Sequence, residues 1–345
     1  MRYQGDAAGD RFEHVRAVAD AILYEGYLLY PYRQSSQKNR VRWQFGVLAP
    51  RDWAERSGPV AEGIAGSVES WQQQTECLFE QAASRPSKAT VHIRIRYLQL
   101  QSNRVERRDD YGRYIPVESI DIDGTTHVSF DEAVSQESEI TASVGKLLRS
   151  NQRFEVGAPA CEEVDDLGDG RARLVRQRWP VTATTTLRVE RLGKSSGSYR
   201  LRVHTENTSR YAHADTPRSK ALRHSLIATH ALIAGQGLQF LSLIAPPDWA
   251  TAHVRSSRNI HTFPVLARSA SGESSSSRRD TMLSSPILLY DDPQIAPENP
   301  GELRDFAGID EVVSLRTLTT TPRPGEFGRP RTWSHSGRWP VDTGR

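Results

Sequence analysis

The chain has 345 residues, with 45 basic and 42 acidic side chains and a formal net charge of +3. That near balance excludes the electrostatic footprint of a nucleic-acid binder, and much of the surplus (Arg323, Arg329, Arg331, Arg338, Arg345) crowds the end. No apolar run approaches the ~20 residues of a membrane span, the first residues lack the apolar core of a secretory signal, and Cys77 and Cys161 are too few for a disulfide scaffold or a four-thiolate metal site.

A cytoplasmic protein with inert thiols, no cofactor and no bound metal is expected from these counts. In chain order, FEHVRAVADAIL (12–23) places Val15, Val18, Ala19 and Ile22 on one helical face. It runs into the stretch that organises the first half, residues 20–53, where Tyr24, Tyr27, Tyr30 and Tyr32 precede the polar link QSSQKN. Beyond the link, Val41, Trp43, Phe45 and Val47 alternate with Arg42, Gln44 and Gly46, the period of a half-buried strand. Tyr27, Tyr30, Tyr32 and Trp43 fit two readings equally: a docking surface, since Tyr and Trp dominate interface hot spots, or the core and edge of a first sheet.

VESWQQQTECLFE (68–80) sets Gln72, Gln74 and Glu76 against Gln73, Thr75, Cys77 and Phe79, a strand with one apolar edge. TVHIRIRYLQL (90–100) is the clearest strand of the first half. A charged turn is expected over 104–113, then a hairpin whose strands, 114–122 and 125–130, meet at Asp123-Gly124. Residues 132–148 suit a helix, and 161–173 (CEEVDDLGDGRAR) an acidic loop closed by Asp169-Gly170.

From Arg171 onwards short strands repeat. The run 171–192 and YRLRVHTENTS, with Tyr199, Leu201, Val203 and Thr205 on one face, flank a Gly/Ser turn. Residues 219–235 and 238–244 form a pair broken at Gly235-Gln236-Gly237, and 260–266 and 286–290 follow as short strands. The expected fold is mainly β, with α+β possible, and a β-sandwich in the second half with helical excursions. The expected division is an N-terminal β-rich domain over 14–150, a sandwich-like domain over 151–320 and a disordered Pro/Gly/Arg-rich tail over 321–345.

Catalytic devices are sparse. The ten histidines include no HxH or HExxH pair. His224 and His230, six apart on one strand, would stand ~20 Å apart by strand rise. His204 and Glu206 share an outward strand face. The acids of 161–173 lack calcium-loop spacing, no G-x-S-x-G is present, and Gly235-Gln236-Gly237 lacks the third glycine of a phosphate-binding turn. The acids after Tyr290 carry the one candidate site: Asp291, Asp292 and, beyond two prolines, Glu298. They suit either cation and acid–base chemistry or a stiff solvated loop. Pro293 favours an extended Asp292, so one acid is expected to bond the local backbone while the other faces outward.

ADAILYEGYLLYPYRQSSQKNRVRWQFGVLAP, ENTS (206–209), LRHSLIATHALI, FLSLIAPPDWA, LSSPILLYDDPQIAPENPGELRD and GIDEVVSLRTLT resemble, in this order, a family of bacterial proteins encoded alongside high-affinity, actinobacterial-type NiFe hydrogenases. The resemblance covers residues 19–319 and implies a non-catalytic accessory, assembly or maturation role, with hydrogenase subunits or maturation proteins as partners. It carries no catalytic residue onto this chain. In the family an acidic helical segment follows the LRTLT block; here TTPRPGEFGRPRTWSHSGRWPVDTGR follows, the composition of a disordered or out-of-frame tail. The competing expectation is a metal-assisted hydrolase using Asp291, Asp292 and Glu298.

Overall fold

The computed structural model describes residues 11–25, 45–63, 66, 68–81, 88–193, 197–210, 215–267 and 279–294. It is mainly β, and every pair of adjacent strands is antiparallel. Helix α1 (Glu13–Glu25) and the single-turn α2 (Arg51–Ala54) come first. Then follow β1 (Gln72–Gln81), β2 (Thr90–Arg108), β3 (Tyr114–Val117), β4 (Ser119–Ile122), β5 (Thr125–Val128), β6 (Phe130–Ser143) and the short α3 (Val144–Leu147). Next are β7 (Gln152–Glu155), β8 (Cys161–Leu167), β9 (Ala172–Arg178), β10 (Ala183–Arg191) and β11 (Ser198–Asn207). The described chain ends with α4 (Arg218–Ala221), β12 (Ile227–Gln236), β13 (Leu238–Phe240), α5 (Thr251–Arg255), β14 (Phe263–Leu266) and β15 (Thr281–Ser285). No helix among the described residues is long and apolar enough to cross a membrane.

A five-stranded sheet runs β13-β1-β11-β10-β7, and an eight-stranded sheet runs β14-β15-β12-β2-β9-β8, with β3 and β6 also on β2. Both draw strands from either side of residue 150, so the expected domain boundary passes through both sheets. The strands of the second half likewise do not stand as a unit: β11 pairs with β1, and β12 and β9 with β2. One apolar cluster joins the two sheets. Cys77, Phe79, Leu187, Leu201 and Val203 of the smaller sheet meet Val91, Ile93, Ile95, Ile140 and Ile233 of the larger. The alternation of β1, β2 and β11 leaves Glu76, Arg94, Arg96, Arg200 and Arg202 on the opposite, outer faces.

On the outer face of the larger sheet, α1 packs Val15, Val18 and Ile22 against Leu232, Ala234 and Leu283. Burying three such side chains is worth about 1.5–3 kcal/mol each, which holds a helix too short to persist alone.

Several expected elements differ. Residues 104–108 continue β2 rather than turning, because β9 pairs with them and Arg104 and Arg173 close on Glu106, both at 2.7 Å; the turn occupies 109–113. The helix expected over 132–148 is mostly β6: Glu137, Glu139 and Thr141 are paired with Arg96, Arg94 and His92 across the ladder, a charge match that only a strand period provides. The acidic loop is a hairpin of β8 on β9, with Glu163 and Asp165 near Arg178 and Arg176 at 3.8 and 2.5 Å. Charged side chains on this exposed edge also discourage edge-to-edge pairing. Residues 218–224 are helical turns, not strand. At Gly235-Gln236-Gly237 the chain passes from the larger sheet (β12) to the smaller (β13) instead of forming a hairpin. A Cβ at Gly235 would overlap the Leu238 side chain, and Gly237 has φ +73°. The strand expected over 286–290 lies over 281–285 instead. Pro286 has no N–H to extend the ladder, and Leu288 and Tyr290 are exposed. The tail over 321–345 lies outside the described residues.

Candidate functional site

The aromatic stretch begins and ends at one place. Leu23, in the last turns of α1, joins Val47, Ala49 and Trp53 in a cluster with Leu98, Leu100 and Ile227 on the outer face of the larger sheet. Beyond the stretch the chain is pinned: Leu48 N–H donates to the Leu226 carbonyl (2.8 Å) and Leu226 N–H returns the bond to Leu48 O (3.0 Å). Gly46, at φ +61°, breaks the extended run expected through 41–48. Trp53 is core: it is buried, its indole N–H donates to the Thr216 carbonyl at 2.8 Å, and Arg56 stacks over its ring. Tyr27, Tyr30, Tyr32 and Trp43 lie outside the described residues, as does Glu298.

Asp291 and Asp292 close the free edge of the larger sheet. On β14, the end strand, the pairing of Val265 with Leu283 turns the backbone of Pro264 and Leu266 outward. Pro264 has no N–H to offer. Leu266 N–H donates to Asp291 Oδ1 (2.8 Å), and Asp292 N–H donates to Leu266 O (2.7 Å). The other carboxylate oxygen of Asp291 accepts from Ser242 Oγ at 2.5 Å, and Ser242 Oγ in turn accepts from the N–H groups of Ile244 and Ala245. One carboxylate therefore ties the edge strand to the segment after β13. Asp292 is not extended as Pro293 suggests; its φ is +55°, a left-handed conformation that Asp and Asn tolerate better than most residues.

This geometry separates the two acids experimentally. Asp291→Asn is expected to cost roughly 1.5–3 kcal/mol, the range for hydrogen bonds to a charged group, because an amide cannot accept at both positions. Asp292→Asn keeps the backbone bond to Leu266 O and should cost less than Asp291→Asn. Urea midpoints of the two variants check this, and equal small shifts would show that the edge contact contributes nothing.

The histidines do not converge. His204 Nε2 lies 2.7 Å from Gln72 Oε1, so the ring donates to an amide oxygen instead of sharing a ligand with Glu206, whose carboxylate meets Arg153 at 3.2 Å. Burial lowers the His204 pKa. His224 sits in a helical turn and His230 in β12, not on one strand face. Among the described residues no group of three His, Cys, Asp or Glu side chains is placed to hold a metal ion. Cys77 is fully buried, and desolvation raises its thiol pKa, which keeps it a poor nucleophile.

Two charge clusters buried beneath covering segments were not legible in the sequence. The first lies under α1. Arg96, 4% exposed, binds Glu137 through Nε (2.7 Å) and Asp20 of α1 through Nη2 (2.5 Å). His230 stands opposite Arg96 in the β12–β2 register and is 0% exposed. Burial, reinforced by Arg96, lowers its pKa to about 3. The second cluster centres on Glu76, 1% exposed, which meets Arg202 at 2.6 Å and Arg200 at 3.4 Å on the outer face of the smaller sheet. The alternation of HIRIR and of RLRVH puts the arginines on the faces opposite Ile93, Ile95, Leu201 and Val203. What sequence did not reveal is that α1 and the segment 241–260 cover those faces.

Comparison with protein-family models, with curated proteins and with solved structures finds no match to this chain.

Proposed function

We propose that this chain is a non-catalytic accessory protein in the assembly or maturation of a NiFe hydrogenase. In this reading it works in the cytoplasm and binds a hydrogenase subunit or another maturation protein through Tyr27, Tyr30, Tyr32 and Trp43. The observation that carries the docking role is the anchoring of the aromatic stretch at both ends in one cluster, Leu23 before it and Val47 after it. The hydrogenase assignment is supported by the resemblance set out from the sequence blocks. The opposing hydrolase reading has less to work with, since both Asp291 oxygens already accept hydrogen bonds from Leu266 and Ser242.

The test is capture from a hydrogenase-expressing native host with the purified full chain. Wild type is expected to retain hydrogenase subunits or maturation proteins. Replacing Tyr27, Tyr30, Tyr32 or Trp43 with Ala should weaken capture roughly 30-fold at each anchor, as ~2 kcal/mol at a hot spot implies, with an unchanged melting temperature. Loss of folded protein in these variants would make the aromatics core and end the docking reading. Capture of no hydrogenase component by wild type would end the hydrogenase assignment.

A further inference from the structure

His230 and Arg96 are buried polar groups that the proposed function does not use. They face each other across β12 and β2, and both lie on the face that α1 covers. A register shift between Ile227 and His230, with Ala228 at φ +53°, is the kind of irregularity that re-aims a side chain. Here it brings the Ala228 carbonyl 2.9 Å from His230 Nδ1. A carbonyl only accepts, so Nδ1 carries the proton and the neutral ring presents a lone pair at Nε2. No donor among the described residues reaches that nitrogen. Arg96 shows the complementary lack: Nε and Nη2 are engaged by Glu137 and Asp20, while Nη1 meets no acceptor among the described residues.

The unmet groups define the ligand. An anion would meet Asp20, Glu137 and Glu139, whose carboxylates already outnumber the charges of Arg94 and Arg96. A cation would meet the guanidinium, and an apolar molecule would leave donor and acceptor both unsatisfied. What fits is a small neutral molecule that accepts one hydrogen bond and donates another. We infer that a single internal water binds between Arg96 Nη1 and His230 Nε2, accepting from the guanidinium and donating to the imidazole. It completes a chain from Asp20 on α1 through Arg96, the water and His230 to the Ala228 carbonyl. The helix that leads into the aromatic stretch is thereby tied to the bulge of β12, whatever partner the chain binds.

A crystal structure of the full chain at about 1.5 Å, with ring nitrogen NMR shifts of His230, tests this. A density peak about 2.7–3.2 Å from both atoms, with the proton on Nδ1, is expected. The peak should disappear in His230→Phe and persist in His230→Gln, whose amide oxygen still accepts. A direct Arg96 Nη1 to His230 Nε2 bond, or a ring protonated at Nε2, overturns the inference. If His230→Phe does not fold, the wild-type density and shifts decide alone.

Discussion

Acidification from pH 6.5 towards 3 is expected to remove about 1.4 kcal/mol of folding stability per pH unit through His230 alone. Its folded pKa is lowered from 6.5 to about 3 by burial, with Arg96 adding repulsion. The unfolded chain therefore binds a proton in this window that the folded chain refuses. Stability from this residue is complete above 6.5 and falls steadily as the pH drops to the folded value. The groups around it cannot rescue the charged form. Arg96 is permanently cationic, and the nearby carboxylates are already engaged, Asp20 by Arg96 and Glu137 by both Arg96 and Arg94. His92, His204 and His224 also have lowered pKa values and contribute in the same direction. They are common to wild type and to His230→Gln, so the difference between the two proteins isolates His230. Urea titrations between about pH 4.5 and 6.5 should show a slope lower by close to one proton in His230→Gln. Parallel slopes would mean that His230 takes up its proton in the folded state.

Strand content was legible wherever a strand has one apolar face. TVHIRIRYLQL and YRLRVHTEN alternate cleanly and are β2 and β11, and Asp123-Gly124 turns the β4–β5 hairpin with φ of 50° and 82°. Legibility failed where pairing, not apolarity, decides the element. Residues 132–143 carry polar side chains at every outward position except Ala133, and isolated apolar residues mimic a helical spacing. The strand becomes visible only when Glu137 and Glu139 are set against Arg96 and Arg94. The candidate sites failed for a related reason. Asp291 was recognisable as an unusual acid, but its partners, Leu266 and Ser242, are 25 and 49 residues away in the chain. Burial of Arg96 and Glu76 was hidden because each sits on a strand face that alternation marks as solvent-facing. A helix and a crossing segment make that face a second interior, and no local pattern in β1 or β2 encodes the cover.

That second interior gives the largest mutational effect expected in this protein. Glu76→Ala should destabilise the fold by about 3–5 kcal/mol, the cost of breaking a buried ion pair from one side. The carboxylate is the shared acceptor of its cluster. Oε1 meets Arg202, while Oε2 meets Arg200 and also accepts from Arg258 N–H at 2.9 Å. The Glu76 N–H donates to Asn259 Oδ1 at 2.7 Å. Arg200 reaches Glu190 at 3.0 Å, the His253 carbonyl at 2.9 Å and Ser256 Oγ at 2.7 Å. Among the described residues, removing the carboxylate leaves Arg200 with Glu190 alone for charge balance, and it takes away the acceptor of the Arg258 N–H, while the Gln74–Ile260 backbone pair still joins the end of the segment 251–260 to β1. Glu76→Gln keeps the volume but loses the charge, and about 2 kcal/mol is expected. Two readouts separate this from a generic core defect. Chemical denaturation gives the size of the loss, and amide hydrogen exchange should quicken first at Arg258, whose N–H the carboxylate accepts. A loss below about 1 kcal/mol in Glu76→Ala, or protection at Arg258 equal to wild type, would mean that the Gln74–Ile260 backbone pair and the apolar contacts of Leu78 with Leu241, Leu243 and Ala250 hold the segment without the charge.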